Sequence, residues 1–430
     1  MTERSVLETP LSIGSMTLRG RLFKSATSET RSTAGGFVTD ELLRFYEPIV
    51  EAGTPMIVTG NLFVSAQGKS AGHQAGIDAD DKLPGLRDWV ALTHGRDVKL
   101  IAQLNHGGRQ IASPAPGVDR IVSASAVREP MLGTKPSPLR ADEIPTVVES
   151  FAAAAARARQ AGFHGVQIHA AHGYLLNQFL TPHTNRRTDR YGGSLDNRAR
   201  LLLEVLRSVR SRLGEDYPIL IKLNGTDDLP LRAGATTDEL VRVAKWLQDE
   251  GADSIEISRG HYESWPGTIQ GRYKGFFHAS LTVGSGRDMS AGQKAFGRAL
   301  GPVFEYVAGR LRPPVEGFNL PQAQRFTDAL DIPIICVGGF HTRRAMETAI
   351  DSGKVDAVSA ARAMIANPHL YRTVLQETSD APDCAYCNSC IARHGGMPID
   401  CYSDEIRYTR DLMIDRYRRE SIAPPGIGNQ

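Results

Sequence analysis

Short apolar runs recur along the chain, and each gives way to small or polar residues and then to helical spacing or a long polar loop. The runs fall at residues 21–25, 55–60, 99–104, 165–169, 218–223, 254–258, 333–337 and 357–360. Each is short and nearly continuously hydrophobic, as a parallel strand buried on both faces must be. The intervening segments read as helices that close at 46–52 and cover 83–96, 145–161, 195–213, 237–250, 322–330, 342–352 and 367–376. Thr236 with Glu239 supplies a capping pattern ahead of the 237–250 helix. Residues 1–20 read as a hairpin or lid turning at Ile13-Gly14-Ser15. Strict strand–helix alternation predicts α/β, and eight units favour a closed (β/α)8 TIM barrel over an open doubly wound sheet. A loop at 105–141, an insertion at 259–321 after strand six and a cysteine-containing tail depart from the plain repeat. We expect a barrel over residues 1–380 and an extension over 381–430 that packs on the barrel or on a partner subunit.

Composition narrows the class. The 430 residues are 41% hydrophobic, enough for one large core, and the net charge is +2 with no basic run. Nucleic acid and membranes are therefore not expected partners. The first residues carry charges and no apolar stretch, so a cytoplasmic location is expected. Five cysteines in a chain of this size do not suggest a disulfide scaffold.

Chemistry in such a barrel sits at the C-terminal ends of the strands. Strand four ends in His169, with His172 and Tyr174 following within five residues. Three uses compete for this group: core histidines bonded to backbone, metal ligands, or donors that polarise a carbonyl oxygen beside a phenolic proton donor. Gln103 ends strand three and Lys222 lies near the end of strand five. They read either as partners of a ring with a pyrimidine-dione edge and of negative charge on it, or as a satisfied amide and an ion-paired lysine. Gly338-Gly339 after strand seven and Arg362 after strand eight favour a phosphate, since the loops after these two strands form the usual phosphate site of the fold. In the insertion, His261, Tyr262, Trp265, Tyr273, Phe276 and Phe277 serve equally well as pocket lining or as a local core.

The run IHAAHGYLLNQFLTPHTNRRTDRYGGSLDNRARLLLE at strand four resembles the central signature of the Old Yellow Enzyme family of flavin-dependent ene-reductases. RLFKSATSE, IAQLNHGGRQ, PILIKLNGTDD, PIICVGGF and AARAMIANPHL extend the resemblance, in order, across residues 11–375. It implies FMN at the mouth of the barrel, with NAD(P)H as transient reductant. Ala26 and Thr27 would meet the flavin ring through the backbone, and Ser28 would tune it from a position usually held by Thr or Cys. Gly60 would face the ring, Gln103 its pyrimidine edge and Lys222 its N1 and O2. Gly338, Gly339, Ala361 and Arg362 would hold the phosphate. His169 and His172 would anchor a substrate carbonyl oxygen, with Tyr174 as proton donor. The implied reaction is reduction of the activated C=C bond of an α,β-unsaturated carbonyl compound; the alternative is a dehydrogenase or desaturase acting on an amine or saturated ketone. Strand one departs from the better-known members, which carry proline where this chain has Ser25-Ala26-Thr27-Ser28. Larger relatives hold a [4Fe–4S] cluster on a four-cysteine motif, which Cys384, Cys387, Cys390 and Cys401 resemble. They also carry a further nucleotide-binding region not found here, so reduced thiols are expected rather than a cluster or zinc. An enone-like small molecule and further copies of this chain are the expected partners.

Overall fold

The computed structural model describes residues 4–378 and 381–422. The eight expected strands are present as Leu22–Lys24, Met56–Phe63, Lys99–Asn105, Gly165–Ala170, Ile219–Asn224, Ser254–Ser258, Ile334–Val337 and Ala357–Ala360. They pair in parallel and close into a barrel, strand eight against strand one. The fold is thus the (β/α)8 TIM barrel.

Period-two alternation decides what each strand residue touches. Leu22, Ile57, Leu100, Val166, Ile221, Ile255, Ile334 and Val358 point outward and join one continuous core with the surrounding helices. Phe23, Met56, Val58, Ile101, Leu220, Ile335 and Ala357 point inward and fill the lower barrel. The N-terminal segment is a hairpin, Leu11–Ile13 paired antiparallel with Met16–Leu18. It is no lid over the mouth: Leu11, Ile13, Met16 and Leu18 pack with that lower interior core and plug its base.

Several boundaries differ from the sequence expectation. Strand two continues to Phe63, with its register against strand three shifting between Val58 and Asn61. The helix expected over 83–96 stops at Ala91, after which Thr93 Oγ1 donates to the Val90 carbonyl. The helix expected over 367–376 begins only at Leu370, and a separate short helix, Arg362–Ala366, precedes it. The insertion is largely helical and contains a long helix, Ala291–Leu311, that sequence reading did not separate. The expected division at 380/381 falls at residues outside the described ones. Beyond it, the tail lies against the barrel: Arg31 donates to the Ile399 carbonyl at 2.8 Å and Ile399 N donates to the Glu29 carbonyl at 2.9 Å. Among the described residues no helix is long and apolar enough to cross a membrane.

Trp89 ties the helical layer to the barrel. It is fully buried, with its ring edge-on to Tyr46 at 4.8 Å and to Phe163 at 6.4 Å. Trp89→Ala is expected to cost about 3–5 kcal/mol, read as a lower midpoint in chemical or thermal denaturation.

Candidate active site

Above the apolar filling, the same inward positions turn polar. Ser25 follows Phe23, Gln103 follows Ile101, Lys222 follows Leu220 and Ser359 follows Ala357, each two residues further up its strand. Gln167 and Glu256 complete this buried layer. Lys222 Nζ sits 2.9 Å from Glu256 Oε2 and donates to Ser25 Oγ at 2.8 Å. Glu256 also accepts from Ser25 Oγ at 2.6 Å, Ser359 Oγ at 2.7 Å and Gln167 Nε2 at 2.9 Å. Gln103 Nε2 donates to Gln167 Oε1 at 2.7 Å, extending the network to strand three. Burial alone would raise the Glu256 carboxyl, but Lys222 and the hydroxyls of Ser25 and Ser359 bring it down to about 2. Gln103 is thus hydrogen-bonded and Lys222 ion-paired within this layer. Their neighbours use part of their donor capacity, since a lysine ammonium carries three protons and two are accounted for here.

Residues 26–28 leave strand one half-buried, and Thr27 Oγ1 donates to Glu29 Oε1 at 3.0 Å. Glu29 is held by Tyr46, whose hydroxyl donates to Oε1 at 2.5 Å and accepts from Gly60 N at 2.9 Å. A Cβ on Gly60 would lie 1.7 Å from Glu29 Oε2 and 2.4 Å from the Thr27 carbonyl. Gly60 is thus needed for the close approach of Glu29 and the Thr27 backbone. Lys24 Nζ stands 3.8 Å from Glu29 and over the Tyr46 ring, and burial lowers its pKa to about 8.

One layer higher, strand four delivers the expected triplet together. The His169 ring lies 5.1 Å from that of His172 and 4.9 Å from that of Tyr174. His169 Nδ1 accepts from Ala171 N at 3.3 Å, which leaves the proton of the neutral ring on Nε2. His172 adopts φ +60°, unusual for a side-chain-bearing residue. Its N–H donates to Asn224 Oδ1 at 3.1 Å, its carbonyl accepts from Gln110 at 2.6 Å, and its Nε2 is 2.6 Å from Ser258 Oγ. These bonds from strands five and six and the strand-three loop hold the strained backbone. Burial lowers both imidazoles, with help from Lys222: His172 falls to about 3 and His169 well below its ordinary value. Both rings are neutral donors and acceptors at physiological pH. Burial raises the Tyr174 phenol, which Tyr262, Asn61 and Ser70 hydrogen-bond.

At the phosphate-favouring end, strands seven and eight run side by side, Val337 opposite Ser359, which brings Gly338-Gly339 beside Ala361-Arg362. Gly339 takes φ +75°. Among the described residues no backbone carbonyl accepts from the N–H of Gly339, Ala361 or Arg362. N–H groups without a backbone acceptor, with a guanidinium nearby, suit an anion. Arg362 is shared with the tail: it donates to Asn388 Oδ1 and lies 5.0 Å from the centre of the Tyr386 ring. Tyr386 OH in turn donates to the Gly339 carbonyl at 2.7 Å. Cys384, Cys387, Cys390 and Cys401 are free thiols in this tail. Burial raises Cys384 to about 11 and Cys390 to about 12. Among the described residues no group of three or more His, Cys, Asp or Glu is disposed to hold a metal ion.

Sequence reading missed several members of this site. Glu256 and Gln167 had a legible signal, since a carboxylate and an amide inside apolar strands need buried partners. Glu29, Asn224 and Ser258 had none, because their contacts depend on how loops and strands meet. The insertion divides its aromatics between the two expected uses. Tyr262 reaches Tyr174, whereas Trp265, Tyr273, Phe276 and Phe277 pack on one another. His261 Nε2 lies 2.9 Å from Asp227 Oδ1, a buried carboxylate that also accepts from Asn224 Nδ2. A second buried network, Arg109 and His183 on Glu263, ties the loops after strands three and four to the insertion.

The barrel has counterparts among known proteins. The architecture is shared with a 2-naphthoyl-CoA reductase in complex with 2-naphthoyl-CoA, at a TM-score of 0.78 and 24% identity, covering 94% of this chain and 58% of that one. The chain belongs to the NADH:flavin oxidoreductase / NADH oxidase family, which it matches over residues 7–279. An NADH oxidase of Thermoanaerobacter brockii is 29% identical over 386 residues, 88% of this chain and 52% of that protein. A 4,4'-dithiodibutanoate disulfide reductase of Rhodococcus erythropolis is 30% identical over 389 residues, 89% of this chain and 91% of that protein. The chain thus spans about half the length of the first of these relatives and most of the second.

The lowered imidazoles lead to a direct test. A ring whose folded pKa lies below its unfolded value stays neutral as pH falls, and the protein loses the corresponding stability between pH 6.5 and about 3. Ring-nitrogen NMR of His172 at pH 5 is expected to show a neutral imidazole; a titration midpoint near 6.5 would contradict the burial of the ring.

Proposed function

We propose that the protein is an FMN-dependent oxidoreductase that uses NAD(P)H to reduce the activated C=C bond of an α,β-unsaturated carbonyl compound. The observation that carries this reading is the pairing of neutral His169 and His172 with Tyr174 over a floor holding Lys222. Family membership supports flavin chemistry, and the free N–H groups of Gly339, Ala361 and Arg362 suit the FMN phosphate. When bound, FMN would supply the two-electron carrier between pyridine nucleotide and acceptor.

On this reading Gln103 and Lys222 bind the pyrimidine edge of the flavin, with Glu256 fixing the lysine and balancing its charge. Ala26, Thr27 and Ser28 border the ring from strand one, and Gly60 keeps Glu29 and the Thr27 backbone close behind them. His169 Nε2–H donates to the substrate carbonyl oxygen. His172 supplies a second contact, its proton position set by exchange with the Ser258 hydroxyl. Both polarise the oxygen without bringing net charge into the pocket. Tyr174, kept protonated by burial, hands its hydroxyl proton to the substrate α-carbon and is recharged through Tyr262 or solvent. The cysteines of the tail are read as reduced thiols, and stoichiometric iron and sulfide in purified protein would replace that assignment.

Purified protein is expected to be yellow, with absorption near ~450 nm that bleaches anaerobically on addition of NADH or NADPH and returns on addition of an enone. Bleaching by neither nucleotide sinks the proposal, and bleaching without recovery by enones turns it toward the dehydrogenase alternative. Tyr174→Phe is expected to slow the enone step by about 10²-fold or more while leaving reduction by nucleotide nearly unchanged. Equal losses in both steps would remove Tyr174 as the acid.

A further inference from the structure

The long helix of the insertion, Ala291–Leu311, buries only Gly301 and Ala308 among its 21 residues. One side seats on the helix Phe276–Thr282: a Cβ on Gly297 would lie 2.8 Å from Leu281 Cδ1, and one on Gly301 2.8 Å from Phe277 Cβ. An adjacent side faces solvent and is apolar along its length. Phe296, Leu300, Val303, Phe304, Val307 and Leu311 are all exposed, Phe296 by 69% and Leu311 by 72%. At 100° per residue these six fall in an arc of roughly 100°, the width of a core-facing stripe. Lys294, Arg298 and Glu305 lie outside it. Glu305 is already engaged, accepting from Gly275 N at 2.9 Å and Phe277 N at 2.8 Å.

We propose that this stripe is an isologous interface by which a second copy of this chain docks, its insertion helix antiparallel to the first. Two observations select this partner. The first is spacing. The six positions map onto themselves when the helix is read in reverse about the Val303–Phe304 bond, so that Phe296 meets Leu311, Leu300 meets Val307 and Val303 meets Phe304 of the second copy. A two-fold axis requires such self-matching, and an unrelated partner does not. The second is area. The six side chains leave roughly 600 Å² of apolar surface in water, the upper end for a monomer, and with the flanking Tyr306 and Val315 roughly 800 Å², the share each partner contributes to a standard stable interface. The contact also reaches the mouth of the barrel. Phe304 stacks on Trp265 at 5.7 Å, Trp265 stacks on Phe276 at 4.6 Å, and Trp265 follows Tyr262 by three residues. Docking therefore braces the segment that brings Tyr262 to Tyr174.

Sedimentation equilibrium of the full chain at micromolar concentration tests this. Wild type is expected at twice the 46.8 kDa chain mass. Val303→Asp places a carboxylate against Phe304 of the second copy twice per interface and is expected to raise the dissociation constant on the order of 100-fold or more. Its far-UV circular dichroism should match wild type, because Val303 is exposed in the monomer. Arg298→Asp, off the stripe, should remain dimeric. Val303→Cys should oxidise to a covalent dimer under conditions that leave wild type uncrosslinked. A monomeric wild type overturns the proposal, and if that monomer co-sediments with phosphatidylglycerol vesicles the face serves a lipid surface instead. An undiminished dimer in Val303→Asp, or a dimer that Val303→Cys does not crosslink, places the interface elsewhere and overturns it as well.

Discussion

The ion pair between Lys222 and Glu256 sets the terms for the whole mouth of the barrel. Two opposite charges buried in a protein interior are tolerable only when their remaining hydrogen-bond capacity is met. Here strands one, three, four, five, six and eight all contribute, through Ser25, Gln103, Gln167, Lys222, Glu256 and Ser359. The apolar layers beneath exclude water from below, and the histidines stand above. A barrel of this kind has a dry foundation, a charged but neutralised floor and a wall of neutral imidazoles. The low Glu256 carboxyl and the low imidazoles share Lys222 as a cause: its charge opposes desolvation at the carboxylate and adds to it at the imidazoles.

The same contrast separates what the sequence made legible from what it did not. Strand positions were readable because a parallel strand must be apolar on both faces, and the polar residue two places beyond the last inward apolar one marks the mouth. His169, His172 and Tyr174 were readable as a group because they share one strand end. Gly60 was readable as a small residue but not for its reason. It faces Glu29 and the Thr27 backbone, and that depends on a loop folding back from strand one. The helix ending at Ala91 and the separate short helix at 362–366 were not readable, since apolar spacing continues where the backbone turns. The base plug was ambiguous because a hairpin at a chain start looks the same at either end of a barrel.

The insertion shows how a loop can carry two kinds of apolar surface. Its first part spends aromatics inward, on Trp265, Tyr273 and Phe276, and sends Tyr262 toward the site. Its second part is a helix with a seat on one side and an uncovered stripe beside it. Which rings face each other follows from the packing of the insertion's helices, not from its aromatic content. The stripe became visible only once the seat was identified, because a helix with one face accounted for must explain the other.

The tail bears on the strand-seven and strand-eight end of the site in a further way. Arg362 is held by Asn388 and Tyr386, and Tyr386 also holds the Gly339 carbonyl. Any anion that engages Gly339 and Arg362 therefore shares them with the tail, and thermodynamic reciprocity applies. If anion binding and tail docking favour the same placement of Arg362, each strengthens the other, and the segment that bears the cysteines becomes a reporter of occupancy at the opposite side of the arginine. The free energy of a bound anion would then be stored partly in the order of a segment it never touches.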